Sequence, residues 1–150
     1  MEINIREAKE KDSETIAQFQ VEMAMETEHY QLDLTTVSKG VAAVISQNNL
    51  GRYFIVEDQG KTIASLLITY EWSDWRNVMI WWIQSVFVIK EYRKKGIYTK
   101  LYQHIKNQVQ HDANIGGIRL YVDKTNINAQ KTYHKVGMNG EHYHLFEWMK

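Results

Sequence analysis

The stretch from Val86 to Tyr102 constrains this chain most. Val86-Phe87-Val88-Ile89 is apolar, Arg93-Lys94-Lys95-Gly96 is a basic turn, and Ile97, Leu101, Ile105 and Val109 then recur at helical spacing. The order is strand, turn, helix. Three cations and a glycine at a helix start gather free backbone N–H groups, the positive end of the helix dipole and a pliable backbone at one point. Such a point suits a phosphate, and a strand running into it sets the phosphate at a carboxyl end of a sheet, where open α/β sheets hold ligands. The turn lacks the upstream glycine and Gly-Lys-Ser/Thr of a Walker A loop, and no G-x-G-x-x-G occurs. A generic NTP or dinucleotide site is therefore not indicated.

The remaining periodicities build a frame around this unit. Ile3 and Ile5 alternate with polar residues as a first strand. Ile16, Phe19 and Met23 form a helical stripe after Asp12 or Ser13 as cap, running to about Thr27, and Val37, Val41, Val44 and Ile45 form a second stripe capped by Thr35 or Thr36. Glu26 to Leu34 reads as the loop between the two helices. Tyr53-Phe54-Ile55-Val56, the turn Asp58-Gln59-Gly60 and Thr62 to Ile68 read as a hairpin. A polar, aromatic loop from Glu71 to Asn77 leads to Met79 to Val88, the longest apolar run and the expected central strand. Gly116-Gly117 ends the next connection. Ile118, Leu120 and Val122 mark another strand, Ala129, Tyr133 and Val136 a short helix closed by Gly137, and Glu141 to Trp148 a final strand. The sum is one α/β domain over residues 1–150, a mixed sheet with helices on its faces.

Composition narrows the function classes. The formal net charge is zero, so no long-range field draws the chain to nucleic acid or to an anionic membrane, and any basic site is local. A nucleic-acid-binding domain built on the Arg93–Lys100 cluster is the weaker reading for that reason. The chain has no cysteine, which removes disulfides, thiolate metal sites and a cysteine nucleophile and fits a cytoplasmic address. No run approaches the length that spans a bilayer. His142 and His144 share a strand face but lack a third ligand, so no metal is expected. Five Trp and nine Tyr are many for this length, and exposed aromatics would favour a homodimer.

Two motifs carry a family resemblance. Arg93-Lys94-Lys95-Gly96-Ile97-Tyr98 follows the Arg/Gln-x-x-Gly-x-Gly/Ala pyrophosphate motif of the GNAT superfamily of acyl-CoA-dependent N-acetyltransferases, with Tyr98 in place of its small last residue. Asn126, Ala129, Tyr133 and Gly137 follow that superfamily's Asn-x-x-Ala-x-x-x-Tyr-x-x-x-Gly-Phe motif, with Met138 in place of Phe. The whole chain resembles the superfamily in its order of elements. The resemblance implies a GNAT-like, mostly antiparallel mixed sheet and acetyl-CoA as co-substrate. It also implies that Val86, Phe87 and Val88 lie along the pantetheine arm, that Arg93, Lys94, Lys95, Gly96, Ile97, Tyr98 and Thr99 surround the pyrophosphate, and that Asn126, Ala129 and Tyr133 close the far side.

The chemistry then has expected holders. When an amine attacks a thioester, the oxyanion needs a fixed N–H donor and the leaving thiolate needs a proton. The Val88 amide is the expected donor and Tyr133 the general acid. Some relatives carry a Glu in the central strand, but this chain has Trp82 there; Glu26 or Glu71 is the candidate base, with Glu28, His144 or a water chain as substitutes. Trp72, Trp75, Trp81 and Trp82 are candidates for an aromatic wall facing a cationic acceptor. The expected activity is acetyl transfer to a primary amine of a small molecule or peptide in a ternary complex. The alternative is a non-catalytic acyl-CoA-binding regulatory domain.

Overall fold

The computed structural model describes all of residues 1–150. Five strands form one sheet in the order β1 (Ile3–Glu7), β2 (Arg52–Asp58), β3 (Lys61–Ser73), β4 (Val78–Val88) and β5 (Ile115–Leu120). The first four pair antiparallel and β4 pairs parallel with β5. The helices are α1 (Ser13–Glu28), α2 (Leu34–Ser46), α3 (Ile97–Gln110) and α4 (Ile127–Lys135). This is the mixed, mostly antiparallel sheet expected from the sequence.

The period of two along β2 sorts the core into two layers. Tyr53 and Ile55 pack with Ile16, Ala17 and Val41 of α1 and α2, whereas Phe54 and Val56 join Ile97, Leu101 and Ile105 of α3 on the opposite face. Arg6, on β1, fastens this edge of the sheet to the helical layer. Its guanidinium donates to both oxygens of Asp12, which is only 5% exposed, and to Glu57 Oε1 at 2.6 Å.

Several boundaries differ from the sequence reading, each for a local reason. Helix α2 is capped by Asp33, whose carboxylate accepts from the Thr36 N–H at 3.0 Å, so Thr35 and Thr36 lie inside the first turn. The β2–β3 turn puts Gln59 and Gly60 at φ of 50° and 82°, the pair of positive angles that matches strand twist in a tight hairpin. β3 continues through Glu71 and Trp72 to Ser73, reducing the expected loop to residues 74–77. β4 is fourth of five strands, not central; β3 holds the middle. Gly116 and Gly117 belong to β5 itself, and residue 116 is held to glycine there because a Cβ would collide with the Val78 side chain of the neighbouring strand. The largest correction concerns Glu141 to Trp148, which forms no strand; residues 139–150 make no backbone–backbone hydrogen bond and are exposed throughout.

Candidate active site

The parallel pair β4–β5 runs from Met79 opposite Ile115, through a register shift between Met79 and Ile80, to Ile83 opposite Leu120, where β5 ends. β4 runs on alone to Val88 beside β3. A break in the β3–β4 register lies between Ser65 and Leu67, opposite Ser85 and Val86, and Ser85 takes φ of 51°. A bulge of this kind bends a strand and re-aims the residues beyond it. The two strands therefore diverge, and the gap is a cleft of about 540 Å³ walled by Ile83 to Val88 of β4, Leu120 at the end of β5 and Tyr121 just after it, Met23, Glu26 and Thr27 of α1, and Asn126, Asn128 and Tyr133 around α4. Arg93 stands at the same cleft.

Val88 presents its backbone to this gap. Ile89 N–H donates to Ile63 O at 2.9 Å across the Ala64–Val88 pair. In an antiparallel ladder that bond makes Ala64–Val88 a non-hydrogen-bonded pair, so the Val88 N–H and C=O turn away from β3. Arg93 Nε donates to the Val88 C=O at 2.8 Å, and the N–H is left facing the divergent side. The Val86 and Val88 side chains pack toward the α3 layer, while Phe87 packs on Phe19 of α1 with ring centroids 4.9 Å apart.

The turn after β4 is rich in free donors. Lys94 and Gly96 take φ of 59° and 75°, and no backbone N–H from Lys94 through Thr99 has a protein acceptor; the first α3 bond is Lys100 N–H to Gly96 O at 3.1 Å. Gly96 is open to solvent, with nothing within 4 Å of where a Cβ would stand. The side chains of Lys94, Lys95, Thr99 and Lys100 are exposed around these amides. Successive unpaired N–H groups, a helix N-terminus and mobile cations make a concavity suited to a phosphate group. Tyr98 does not occupy it. Its ring turns inward against Tyr133 (5.6 Å, edge-on) and Tyr102 (6.3 Å), and its hydroxyl is buried without a hydrogen-bond partner. Burial, and then the neighbouring Tyr133 and Tyr102, push the Tyr98 hydroxyl well above the ordinary tyrosine value.

On the far wall, Asn126 caps α4: its Oδ1 accepts from the Ala129 N–H at 3.0 Å, and its amide nitrogen remains available toward the cleft. Ala129 serves that cap and is not on the cleft wall. Gly137 follows the helix at φ of 91°, as a glycine just past a helix end does. Burial raises the Tyr133 hydroxyl above its usual value, so the group keeps its proton at neutral pH.

The two candidate bases separate. Glu26 lines the cleft, with its Oε2 accepting from Arg93 Nη2 at 2.8 Å. Glu71 stands apart at the far end of β3, where its Oε1 accepts from Arg119 Nη1 and from Trp82 Nε1. His144 lies on the exposed segment after α4. Trp72 and Trp75 face solvent and Trp81 is buried, so no tryptophan wall forms; Trp82 instead packs on Tyr121 with ring centroids 4.6 Å apart. Gln84, Ser85 and Tyr121 line the cleft without having stood out in the sequence. The polar pair Gln84-Ser85 interrupting the longest apolar run was the available signal.

A divergent parallel strand pair leading to a donor-rich turn defines the class of chain as a GNAT-type acetyltransferase fold. The sequence profile of the Acetyltransferase (GNAT) family matches residues 12–138, and the chain belongs to that family of enzymes. It is 46% identical to a possible acetyltransferase from Clostridium difficile 630 of known structure, over 99% of this chain and 97% of that one, with a TM-score of 0.93. Two more distant structures share the fold: a predicted acetyltransferase with acetyl-CoA from Clostridium acetobutylicum (19% identity, 99% and 95% coverage, TM-score 0.74) and glucosamine-6-phosphate N-acetyltransferase from Arabidopsis thaliana (15%, 100% and 100%, TM-score 0.74). No curated protein matches the chain. No helix is long and apolar enough to cross a membrane.

Proposed function

We propose that this chain, acting as one acetyltransferase domain over residues 1–150, moves the acetyl group of acetyl-CoA to a primary amine of a small molecule or peptide by direct attack within a ternary complex. The observation that carries this reading is that the β4–β5 cleft reaches Arg93, the residue immediately before the unpaired amides of Lys94 to Thr99. The cleft is lined by apolar and polar side chains in similar number, which suits a pantetheine arm, and the turn that follows Arg93 gives the pyrophosphate charge and N–H donors. Arg93 links the two parts.

In this reading the amine lone pair attacks the thioester carbonyl carbon. The Val88 N–H donates to the oxygen as it becomes negative, the C–S bond breaks, and the departing thiolate takes the Tyr133 hydroxyl proton. Glu26 is the carboxylate that reaches the cleft; it draws the cationic acceptor in and accepts the proton the amine must lose, directly or through water. Asn126 offers its amide N–H to the pantetheine side. Direct transfer agrees with the absence of cysteine, since no thiol is present to hold the acetyl group.

The test is to incubate the protein with acetyl-CoA and a panel of amines and to follow free thiol. The protein adds no thiol background of its own, having no cysteine. Thiol release that depends on one amine class is the expected result. Saturable binding of acetyl-CoA with no release across a broad panel would replace this reading with that of a non-catalytic acyl-CoA-binding domain.

A further inference from the structure

We infer that Tyr98 is a positioning residue for Tyr133: its ring, in the first turn of α3, supports the side of α4 that carries the Tyr133 hydroxyl to the cleft. This rests on the reading of Tyr133 as general acid. Three tyrosine rings run in a row from the core to the cleft wall. Tyr102 is 6% exposed and belongs to the core beneath α3. Tyr98, one turn earlier on the same helix face, lies against it with ring centroids 6.3 Å apart, and Tyr133 meets Tyr98 edge-on at 5.6 Å. Tyr133 in turn lines the cleft.

Helix α4 has little else to fix it. It has nine residues, fewer than a helix needs to hold in water on its own, and none of them is buried. Its place must come from contacts with the rest of the fold. The side-chain hydrogen bonds of α4 are local: Asn126 caps its first turn, Gln130 reaches the Asp123 and Lys124 carbonyls just before it, and Thr132 bonds within it. Val136 and Met138 pack on the core, but both lie beyond the last turn. Along the helix itself the one aromatic contact is that of Tyr133 with Tyr98.

The ring, not the hydroxyl, gives this support. The Tyr98 hydroxyl is buried and bonds to nothing, Tyr133 included. An edge-on aromatic pair fixes both the distance and the tilt of its members, which an aliphatic side chain does not. A general acid must lie within hydrogen-bond reach of the atom it protonates, and a displacement of about 1 Å can cost about a hundredfold in rate. Tyr98 is not among the residues that line the cleft, so it acts on turnover through Tyr133. Its main-chain N–H belongs to the donor-rich turn and survives any substitution of the side chain except proline.

Tyr98→Leu is the test, read in two ways. Amide exchange over residues 127–135 reports the support without any acceptor: it is expected to be about tenfold or more faster in the variant, while β3 keeps its slow exchange. With an amine that is acetylated, kcat is expected to fall about tenfold while acetyl-CoA affinity stays within about threefold. Tyr98→Phe restores the ring and is expected to turn over about fivefold or more faster than Tyr98→Leu. In a Tyr133→Phe background, Tyr98→Leu is expected to lower kcat no further, because the group it positions is gone. Unaltered exchange over residues 127–135, or an equal loss of kcat with and without the Tyr133 hydroxyl, would overturn the proposal. A slow Tyr133→Phe beside a Tyr98→Leu at wild-type kcat overturns this inference alone, whereas a Tyr133→Phe at wild-type kcat overturns the general-acid reading and this inference with it. If Tyr98→Leu does not fold, Tyr98→Met takes its place with the same expected results.

Discussion

Arg93 and Glu26 meet across the mouth of the cleft, with Nη2 of the arginine 2.8 Å from Oε2 of the glutamate, while Nε of the same guanidinium holds the Val88 carbonyl. One side chain thus ties the last turn of α1 to the end of β4. Both partners are well exposed, so the pair adds little to stability, and its value is positional. Replacing Glu26 by Gln is expected to lower kcat/KM for the amine by about tenfold or more while leaving the melting temperature nearly unchanged. Glu71→Gln, whose partners Arg119 and Trp82 are not among the residues lining the cleft, is expected to leave turnover within about twofold. Equal turnover in wild type and Glu26→Gln would remove Glu26 from the proton path.

Tyr133 stands half-buried on the α4 wall with its hydroxyl held protonated by burial. Tyr133→Phe is expected to lower kcat by about tenfold or more while leaving acetyl-CoA affinity unchanged, as titration against binding would report. Burial also fixes the sign of the pH dependence. An acid whose value lies above the ordinary tyrosine value of about 10 stays active as pH rises, so Tyr133 imposes no alkaline fall in kcat below that value. A fall centred near neutral pH that disappears in Tyr133→Phe would contradict the assignment.

Most of this arrangement was legible in the sequence where local rules decide the outcome. The Gly96 turn, the Gly137 close of α4 and the β2–β3 hairpin each rest on residues whose backbone preferences are strong. The divergence of β4 from β5 was not legible, because it depends on where pairing stops and on a serine held at positive φ, and neither has a periodic signature. Glu71 and Glu26 likewise looked alike as loop carboxylates; only the extension of β3 to Ser73 carried Glu71 to Arg119 and away from the cleft. The segment from Glu141 to Trp148 alternates as a strand does, yet within one chain no neighbour completes its ladder.

Tyr98 also makes a prediction about stability. Its hydroxyl is buried with no partner, and an unpaired buried donor costs about 1–3 kcal/mol. Tyr98→Phe keeps the edge-on contact with Tyr133 and removes the orphan, so it is expected to stabilise the chain by about 1 kcal/mol, a rise in melting temperature of about 2–4 °C. Tyr98→Ala should do the reverse, opening a cavity beside Tyr133 and costing about 3 kcal/mol or more. Destabilisation in Tyr98→Phe would mean that the hydroxyl has an acceptor in solution.

The Arg6–Asp12–Glu57 network sets the acid limit of the fold. At Asp12, burial alone would raise the carboxyl, but the Arg6 hydrogen bonds, the Lys9 N–H and the Arg6 charge outweigh it and hold the group below the usual carboxylate range; at Glu57 the Arg6 hydrogen bond is the main cause of the same shift. A carboxylate with a depressed folded value gives stability that is fully present above its unfolded value of about 4 and is lost as pH falls through the folded one. Unfolding free energy is therefore expected to be flat on account of this network from neutral pH down to about pH 5, and to fall below about pH 4. Asp12→Asn leaves Arg6 with one carboxylate and an incompletely paired, half-buried charge, so it should cost about 2 kcal/mol at neutral pH. In the same variant the decline below about pH 4 should be shallower, because one of the two protons taken up on acid unfolding is gone. Denaturant titrations of both proteins between about pH 3 and pH 7 measure the two slopes, and parallel curves would show that Asp12 does not carry the linkage.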